Sequence, residues 1–457
     1  MKLDKNLLWN YIGFGISLGV NVILLPLVIK YLNKDELGLW YVFLSIGSFV
    51  TMVDFGFSPQ IARFITYAYA GTDNLQKEGV IISSKREPNF ILLHKLLSAS
   101  HKLYLYLSFL VLILLMTIGT YYIYSISKTL PIINVFTAWF LFCIATFINI
   151  LYCYYGAFYR GIGNFIDINK ALLISKGIQI ICTLIGLYYG FGIVAVAFAF
   201  LLSGIIFRFY LALKLNSFKR KYFLFKNSIV QGSNTLSTIW HNSWREGIVM
   251  LSRYLIIQSN TILCSLYIGL SDTAAYALAI QILTIISSIS LIHFTTNLPL
   301  LNTNQVTNNT NNKYKLLSKL WVSFVISFFF LLLMLYSIGL PIIEYLKPGI
   351  MLTKPLLTFI SIYIFLETNQ SFFTSYISTS NKLPYVYPYL LSACLGVMLS
   401  ILLLENTNLG IFGIILAHFL TQLIYNNWIW PYHVLKEFHT NIYYLFTNGI
   451  KQYYFQL

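Results

Sequence analysis

"TMVDFGFSPQIARFI", residues 51–65, closes an apolar run over 38–62 that is long enough to cross a bilayer. A span needs about 20 mostly apolar residues. This one carries Asp54 a little past mid-depth, where a carboxylate costs at least ~3 kcal/mol on insertion scales. The acid is therefore paired, hydrated or protonated. Pro59 leaves the carbonyl of Phe55 without its helical donor, and Gly56 loosens the same turn. Arg63 stands nine residues beyond Asp54. On a straight helix that is the opposite face, about 13 Å along, so the spacing argues against a direct pair. The stretch reads as an acid over a bend, with a cation at the inner mouth. The alternative is a helix-packing ion pair at Asp54 and a plain interfacial anchor at Arg63.

The rest of the chain has the same character. Of 457 residues, 58% are hydrophobic and 10% charged, against roughly 25% charged in soluble proteins. Mean hydropathy is +0.73. Twelve apolar runs are long enough to span: 8–30, 38–62, 103–126, 135–158, 171–190, 193–212, 247–268, 274–298, 316–340, 356–378, 385–404 and 409–430. The first is too long for a signal-peptide core and reads as an anchor. The five cysteines all lie in apolar runs without a CxxC, which fits packing residues rather than a metal or disulfide framework.

The net charge of +16 would point to nucleic acid in a soluble protein. Here it follows one set of loops. With the N-terminus inside, inner segments hold 21 Lys and Arg and outer loops hold 5. The positive-inside rule then places both termini in the cytoplasm, and no nucleic-acid partner is expected. No outer loop is long enough for a catalytic domain. The chain contains no G-x-S-x-G, no HExxH and no glycine-rich phosphate loop, and no cofactor is expected.

The long basic loop 213–246 divides the spans six and six. The expected organisation is an N-terminal lobe at 1–212, a cytoplasmic linker at 213–246, a C-terminal lobe at 247–430 and a cytoplasmic tail at 431–457. The Asn-rich 302–315 reads as a further inner linker, and 63–102 as a long inner loop. The halves echo each other: "YRGIGNF" (159–165) against "ISTSNKL" (377–383), and "YLNKDELGLW" (31–40) against "YIGLSDTAAY" (267–276). Six-span repeats are a known transporter plan. The expected fold is thus an all-α polytopic membrane protein, about 12 transmembrane helices in two six-helix lobes around a central cavity.

Polar residues inside spans face the bundle interior or water. They recur at helical spacing: Asn10 and Asn21 in the first run; Asp54 in the second; Lys176 with Gln179 and Thr183 in the fifth; Arg253 and Asn260 in the seventh; Gln281 in the eighth; Glu367 and Gln370 in the tenth; His418 and Gln422 in the twelfth. Such stripes serve either helix packing or a wet cavity. Lys176 and Arg253 either snorkel to the interface or join Arg63 and Arg208 as four cations in the inner third. Arg and Lys suit phosphate oxygens, so these cations, with Asn10, Asn21, Asn260 and Gln281, are candidates for holding a pyrophosphate and sugars. Asp54 and Glu367, with the intramembrane His293 and His418, are candidates for ion coupling. The third run is almost free of polar groups and reads as lipid-facing.

The first 65 residues resemble the start of the bacterial O-antigen flippases, in the polysaccharide transporter branch of the multidrug/oligosaccharidyl-lipid/polysaccharide exporter superfamily. Asn10, Pro26, "ELGLW" (36–40) and "VDFGF" (53–57) carry the likeness, and "YRGIGN" (159–164) extends it loosely. The resemblance implies two six-span lobes, with spans one, two, seven and eight lining the cavity. It implies alternating access that moves undecaprenyl-diphosphate-linked oligosaccharide across the inner membrane for lipopolysaccharide biosynthesis, driven by an ion gradient. It also implies membrane lipid, a polysaccharide polymerase and a chain-length regulator as partners. Of the charged candidates only Asp54 matches a family motif position; Arg63, Lys176, Arg253 and Glu367 are read from depth and face alone. Two other readings stay open: a drug or cation antiporter of the same superfamily, and a membrane polymerase or glycosyltransferase, which the short outer loops disfavour.

Overall fold

In the computed structural model, residues 5–72, 87–222, 243–244, 247–306, 310–379 and 384–454 are described, and none of them forms a strand. All twelve apolar runs are helical over most of their length. Eight helices are long and apolar enough to cross a membrane, and nine if the bent pair Lys34–Met52 and Phe57–Tyr69 is one span. The chain is a multi-pass, all-helical membrane protein. It divides into two compact units, Met1–Tyr254 and Leu255–Leu457.

The first unit comprises α1 (Lys5–Tyr31), α2 (Lys34–Met52), α3 (Phe57–Tyr69), α4 (Phe90–Ile126), α5 (Ile132–Gly161), α6 (Phe165–Tyr188) and α7 (Gly192–Tyr222). The "NKDELGLW" turn is a capping box. Asn33 Oδ1 accepts from the Glu36 N–H (2.7 Å), and Glu36 Oε2 accepts from the Asn33 N–H (3.2 Å). The other oxygen of Glu36 accepts from the Ile193 N–H at the start of α7 (3.4 Å), so one acid caps two helices. Gly192 leads into α7 with φ +53, where any Cβ would sit 2.5 Å from that carboxylate. On the other side, α1 lies against α6. A Cβ on Gly13 would stand 2.0 Å from Asn169 Oδ1, and the Lys170 ammonium rests over the Trp9 ring. Phe43, Trp139, Phe142 and Phe200 form the aromatic core, with successive ring centroids 5.1 to 5.8 Å apart.

Connections expected as loops are shorter than the sequence indicated. Half of 63–102 is helical, as α3 runs on to Tyr69 and α4 starts at Phe90; residues 73–86 of it lie outside the described residues. α7 continues through Tyr222, and of the basic stretch 213–246 the residues 223–242 and 245–246 are not described. The apolar run predicted each span, but polar helical turns extend beyond the hydrocarbon and hydropathy scores those as loop.

The second unit holds most of α8 (Gly247–Tyr267), then α9 (Leu270–Ser290), α10 (Ile292–Val306), α11 (Thr310–Leu346), α12 (Lys354–Ser378), α13 (Val386–Asn406), α14 (Gly410–Ile424), α15 (Asn426–Glu437) and α16 (Ile442–Tyr454). The Asn-rich 302–315 is helical up to Val306 and from Thr310; 307–309 are outside the described residues. The twelfth run is broken at Tyr425, where Asn426 Nδ2 turns to Ser392 Oγ (2.7 Å) and Gln422 Oε1 (3.1 Å). The stretch after the last span forms the end of α15 and all of α16. Lys313, buried at the start of α11, pairs with Glu437 at the end of α15 (3.4 Å), and the Tyr376 hydroxyl donates to the same carboxylate (3.1 Å).

The two units repeat one plan in detail. α4 and α11 each run 37 residues. Each contains a five-residue π-helical turn at the same place, "LMTIG" (Leu115–Gly119) and "LYSIG" (Leu335–Gly339). A π turn is a one-residue insertion in an α-helix, and its recurrence 220 positions later marks a duplicated element. Gly192 and Gly410, both left-handed, lead into α7 and α14 in the same way.

Candidate functional site

The break between α2 and α3 is built around Asp54. Phe55 (φ 43) and Gly56 (φ 74) are both left-handed, a conformation that costs a residue with a Cβ roughly 1–2 kcal/mol. The bend is 45°. Pro59 does not make it. It lies in the first turn of α3, where its missing N–H is unneeded, and the reversal of φ before it does the bending. Asp54 compensates. Its Oδ2 accepts from the Ser58 N–H (3.1 Å), capping the new helix, and its Oδ1 accepts from the Tyr104 hydroxyl.

Tyr104 comes from α4, which the sequence assigned to lipid. Most of α4 does face outward, with Tyr106, Phe109, Leu110 and Ile113 exposed, but Tyr104 is fully buried and Ser108 with it. The single polar face was hidden because Tyr reads equally well as an interfacial belt residue.

Asp54 opens onto a cavity of about 440 Å³ inside the first unit, walled by Phe142 and Phe200 and lined by Ser48, Thr51, Thr146, Asn149 and Arg208. Arg208 Nη2 donates to the Asn149 carbonyl (3.1 Å), while its Nε and Asn149 Oδ1 are buried without partners. Among the described residues Asp54 and Arg208 do not pair with each other. A buried polar atom left unsatisfied costs on the order of 1–3 kcal/mol, so this concavity is suited to a polar guest. Arg160, counted from sequence among the inner-loop cations, folds back over Gly156 and donates from Nη2 to Ser58 Oγ (2.8 Å). Together Asp54, Ser58, Tyr104, Arg160 and Arg208 bring four helices to one point.

The other candidates are placed as follows. Arg63 is exposed on α3, and Arg253 is exposed on α8. Lys176 is half-buried and donates to Gln179 Oε1 (2.7 Å). Its stripe continues into packing, for Thr183 is buried and a Cβ on Gly186 would meet Ala195 at 2.6 Å. Asn10 and Asn21 lie on α1, and their side chains are outside the description. In the second unit Asn260 is buried and donates to the Ile256 carbonyl (3.1 Å) at the π turn of α8, where the Tyr363 hydroxyl also donates (3.2 Å). Gln281 is half-buried. Glu367 is buried on α12 beside Gln370, whose two amide atoms have no partner. His293 is exposed, and His418 is fully buried with neither ring nitrogen bonded. Among the described residues no group of His, Cys, Asp and Glu could hold a metal ion, and the cysteines are free.

No protein-family model matches the chain, and no curated protein matches it in sequence. Solved structures do. An inward-facing multidrug resistance MATE transporter of the MOP superfamily superposes with a TM-score of 0.70 at 13% identity, over 95% of this chain and 99% of that one. The lipid II flippase MurJ, in an inward closed conformation, gives 0.64 at 13% identity over 97% and 90%. A MOP-superfamily transporter from Pyrococcus furiosus, described as having a binding pocket of reverse polarity, gives 0.50 at 13% identity over 94% of each. The chain has the fold of MOP-superfamily transporters.

Proposed function

We propose that this chain, sharing its fold with multidrug transporters and with a lipid flippase, is a lipid-linked oligosaccharide flippase. It moves undecaprenyl-diphosphate-linked repeat units from the cytoplasmic to the periplasmic leaflet of the bacterial inner membrane by ion-coupled alternating access. Arg208 carries the reading: a guanidinium inside the fold that lines a cavity and has an unused Nε–H, placed where it can meet an anionic headgroup. Lys176, Arg63 and Arg253 are further cations for the pyrophosphate. Asn10, Asn21, Asn260 and Gln281 serve the sugars. Asp54 and Glu367 carry the coupling ion, with His293 and His418 as secondary candidates. The polymerase and chain-length regulator are proposed partners.

The second reading, a drug or cation antiporter, draws on Asp54, whose carboxylate faces the same cavity between Phe142 and Phe200. A carboxylate among aromatic rings suits an organic cation. One experiment separates them. Proteoliposomes holding the purified protein are offered a radiolabelled undecaprenyl-diphosphate glycan in one arm and a cationic dye in the other. The flippase reading expects glycan to reach the opposite leaflet, with Arg208→Gln and Asp54→Asn each reducing flux at least tenfold. Dye transport without glycan transport supports the antiporter instead. Glycan flux that survives collapse of both proton and sodium gradients removes ion coupling.

A further inference from the structure

α3 is fastened to the end of α5 at three points. Arg160 Nη2 donates to Ser58 Oγ (2.8 Å) and the Thr66 hydroxyl donates to the Gly161 carbonyl (2.7 Å). The backbones meet where a Cβ on Gly161 would lie 2.6 Å from the Ala62 carbonyl oxygen. Each partner also has its own break. α3 is separated from α2 by the left-handed Phe55 and Gly56, and the segment Cys153–Gly161 is separated from the rest of α5 at Tyr152 (φ −108, ψ 18). Two hinged pieces fastened together can move as one body.

Asp54 sits at the first hinge. Its two oxygens take the Ser58 N–H and the Tyr104 hydroxyl, so the charged carboxylate ties the start of α3 to α4. Neutralised, it is a much weaker acceptor for both, and α3 loses that tie. The charged and titratable groups facing Asp54 are Tyr104 from α4, Cys153 and Arg160 from α5, and Arg208 from α7. Of these, Arg160 is the cation that reaches Ser58, the residue that Asp54 caps, and the Cys153 thiol lies against the same side chain.

We propose that Arg160 is a positioning residue: through Ser58 it makes α3 and Cys153–Gly161 one rigid body, and the charge of Asp54 holds or frees that body. This rests on the reading of Asp54 as a coupling site and goes beyond it by naming the part that moves.

The test uses the full-length protein in nanodiscs, without substrate or gradient. Spin labels carried by non-natural amino acids replace Tyr69 at the end of α3 and Tyr124 on α4, both exposed, which leaves the cysteines in place. The distance between labels is expected to differ between mildly acidic and mildly alkaline conditions. Asp54→Asn is expected to give the acid distance in both. Arg160→Gln is expected to give a broadened distribution that no longer follows pH, and Arg160→Lys to restore the two distances. Should Arg160→Gln fail to fold, Ser58→Ala removes the other end of the same bond and is expected to behave alike. In transport assays Arg160→Gln is expected to lower kcat roughly tenfold or more with KM unchanged, because it positions and does not bind. A wild-type distance that ignores pH, or an Arg160→Gln variant indistinguishable from wild type, overturns the proposal. Label movement in a protein whose transport ignores ion gradients would remove the coupling reading and leave the hinge standing. Gradient-driven transport with static labels would do the reverse.

Discussion

Asp54 could be picked out from sequence because a carboxylate has few reasons to lie in hydrocarbon. Its partners could not. Tyr104 is 50 residues away in a run that scores as lipid-facing, and Arg160 is 106 away at a helix end where any cation is unremarked. Pairing across such separations is set by tertiary packing, which hydropathy does not record. Two predictions belong to single residues. Tyr104→Phe keeps the ring and removes the donor to Asp54. It is expected to cost about 1 kcal/mol of stability and to lower transport several-fold, as read by thermal melting and glycan flux on the same preparation. His418 offers the opposite case. Both ring nitrogens are buried and unbonded, so His418→Leu is expected to hold or raise the melting temperature, since an unpaired buried polar group is a net cost. A fall of several degrees would show that the imidazole has a partner, such as bound water.

Among the elements, the positions of the twelve apolar runs were legible and their interruptions were not. Breaks at Tyr152 and Tyr425 occur without proline or glycine, and the π turns are as apolar as the spans around them. Pro59 misdirects, since it marks the neighbourhood of the bend but not its cause. Helix contacts were visible only as small residues in stripes. The closest is Gly13, and Gly13→Ala is expected to push α1 off α6, because the Asn169 side chain must yield by more than an ångström. Loss of a few degrees in melting temperature, recovered in the double variant Gly13→Ala/Asn169→Ala, would confirm that the clash is local. No recovery would place the damage elsewhere.

For the molecule as a whole, the basic bias of the inner loops predicts which ends face the cytoplasm. Tyr345, near the end of α11, is 89% exposed, and that bias predicts it on the outer side. In intact cells Tyr345→Cys is expected to react with a membrane-impermeant maleimide, whereas His439→Cys, after α15, reacts only once the membrane is opened. The reverse pattern would invert the topology. The duplicated plan also shows where the units have diverged. Tyr104 and Asn149 correspond to Phe324 and Asn369 by the spacing of the π turns. Arg208 corresponds to Asn426 by the paired glycines that open α7 and α14, and Asp54 to Ser290 by the starts of α2 and α9. Both units keep the asparagine, but the acid, the phenol and the guanidinium belong to the first alone.

The extra residue in α4 sets an angular phase. Each residue advances a helix by about 100°, so Leu115–Gly119 decides which side of the following turns looks inward. Gly119 there leaves room for the Trp139 ring, 2.8 Å from where its Cβ would be, and Trp139 Nε1 donates to Thr120 Oγ1 (3.0 Å). Excising one residue from this turn would restore ordinary pitch while spinning Thr120 and Ile123 away from their neighbours. The sequence of α4 is therefore written in two phases joined at that turn, and a shortened copy would be as apolar as before yet present the wrong side to its own bundle.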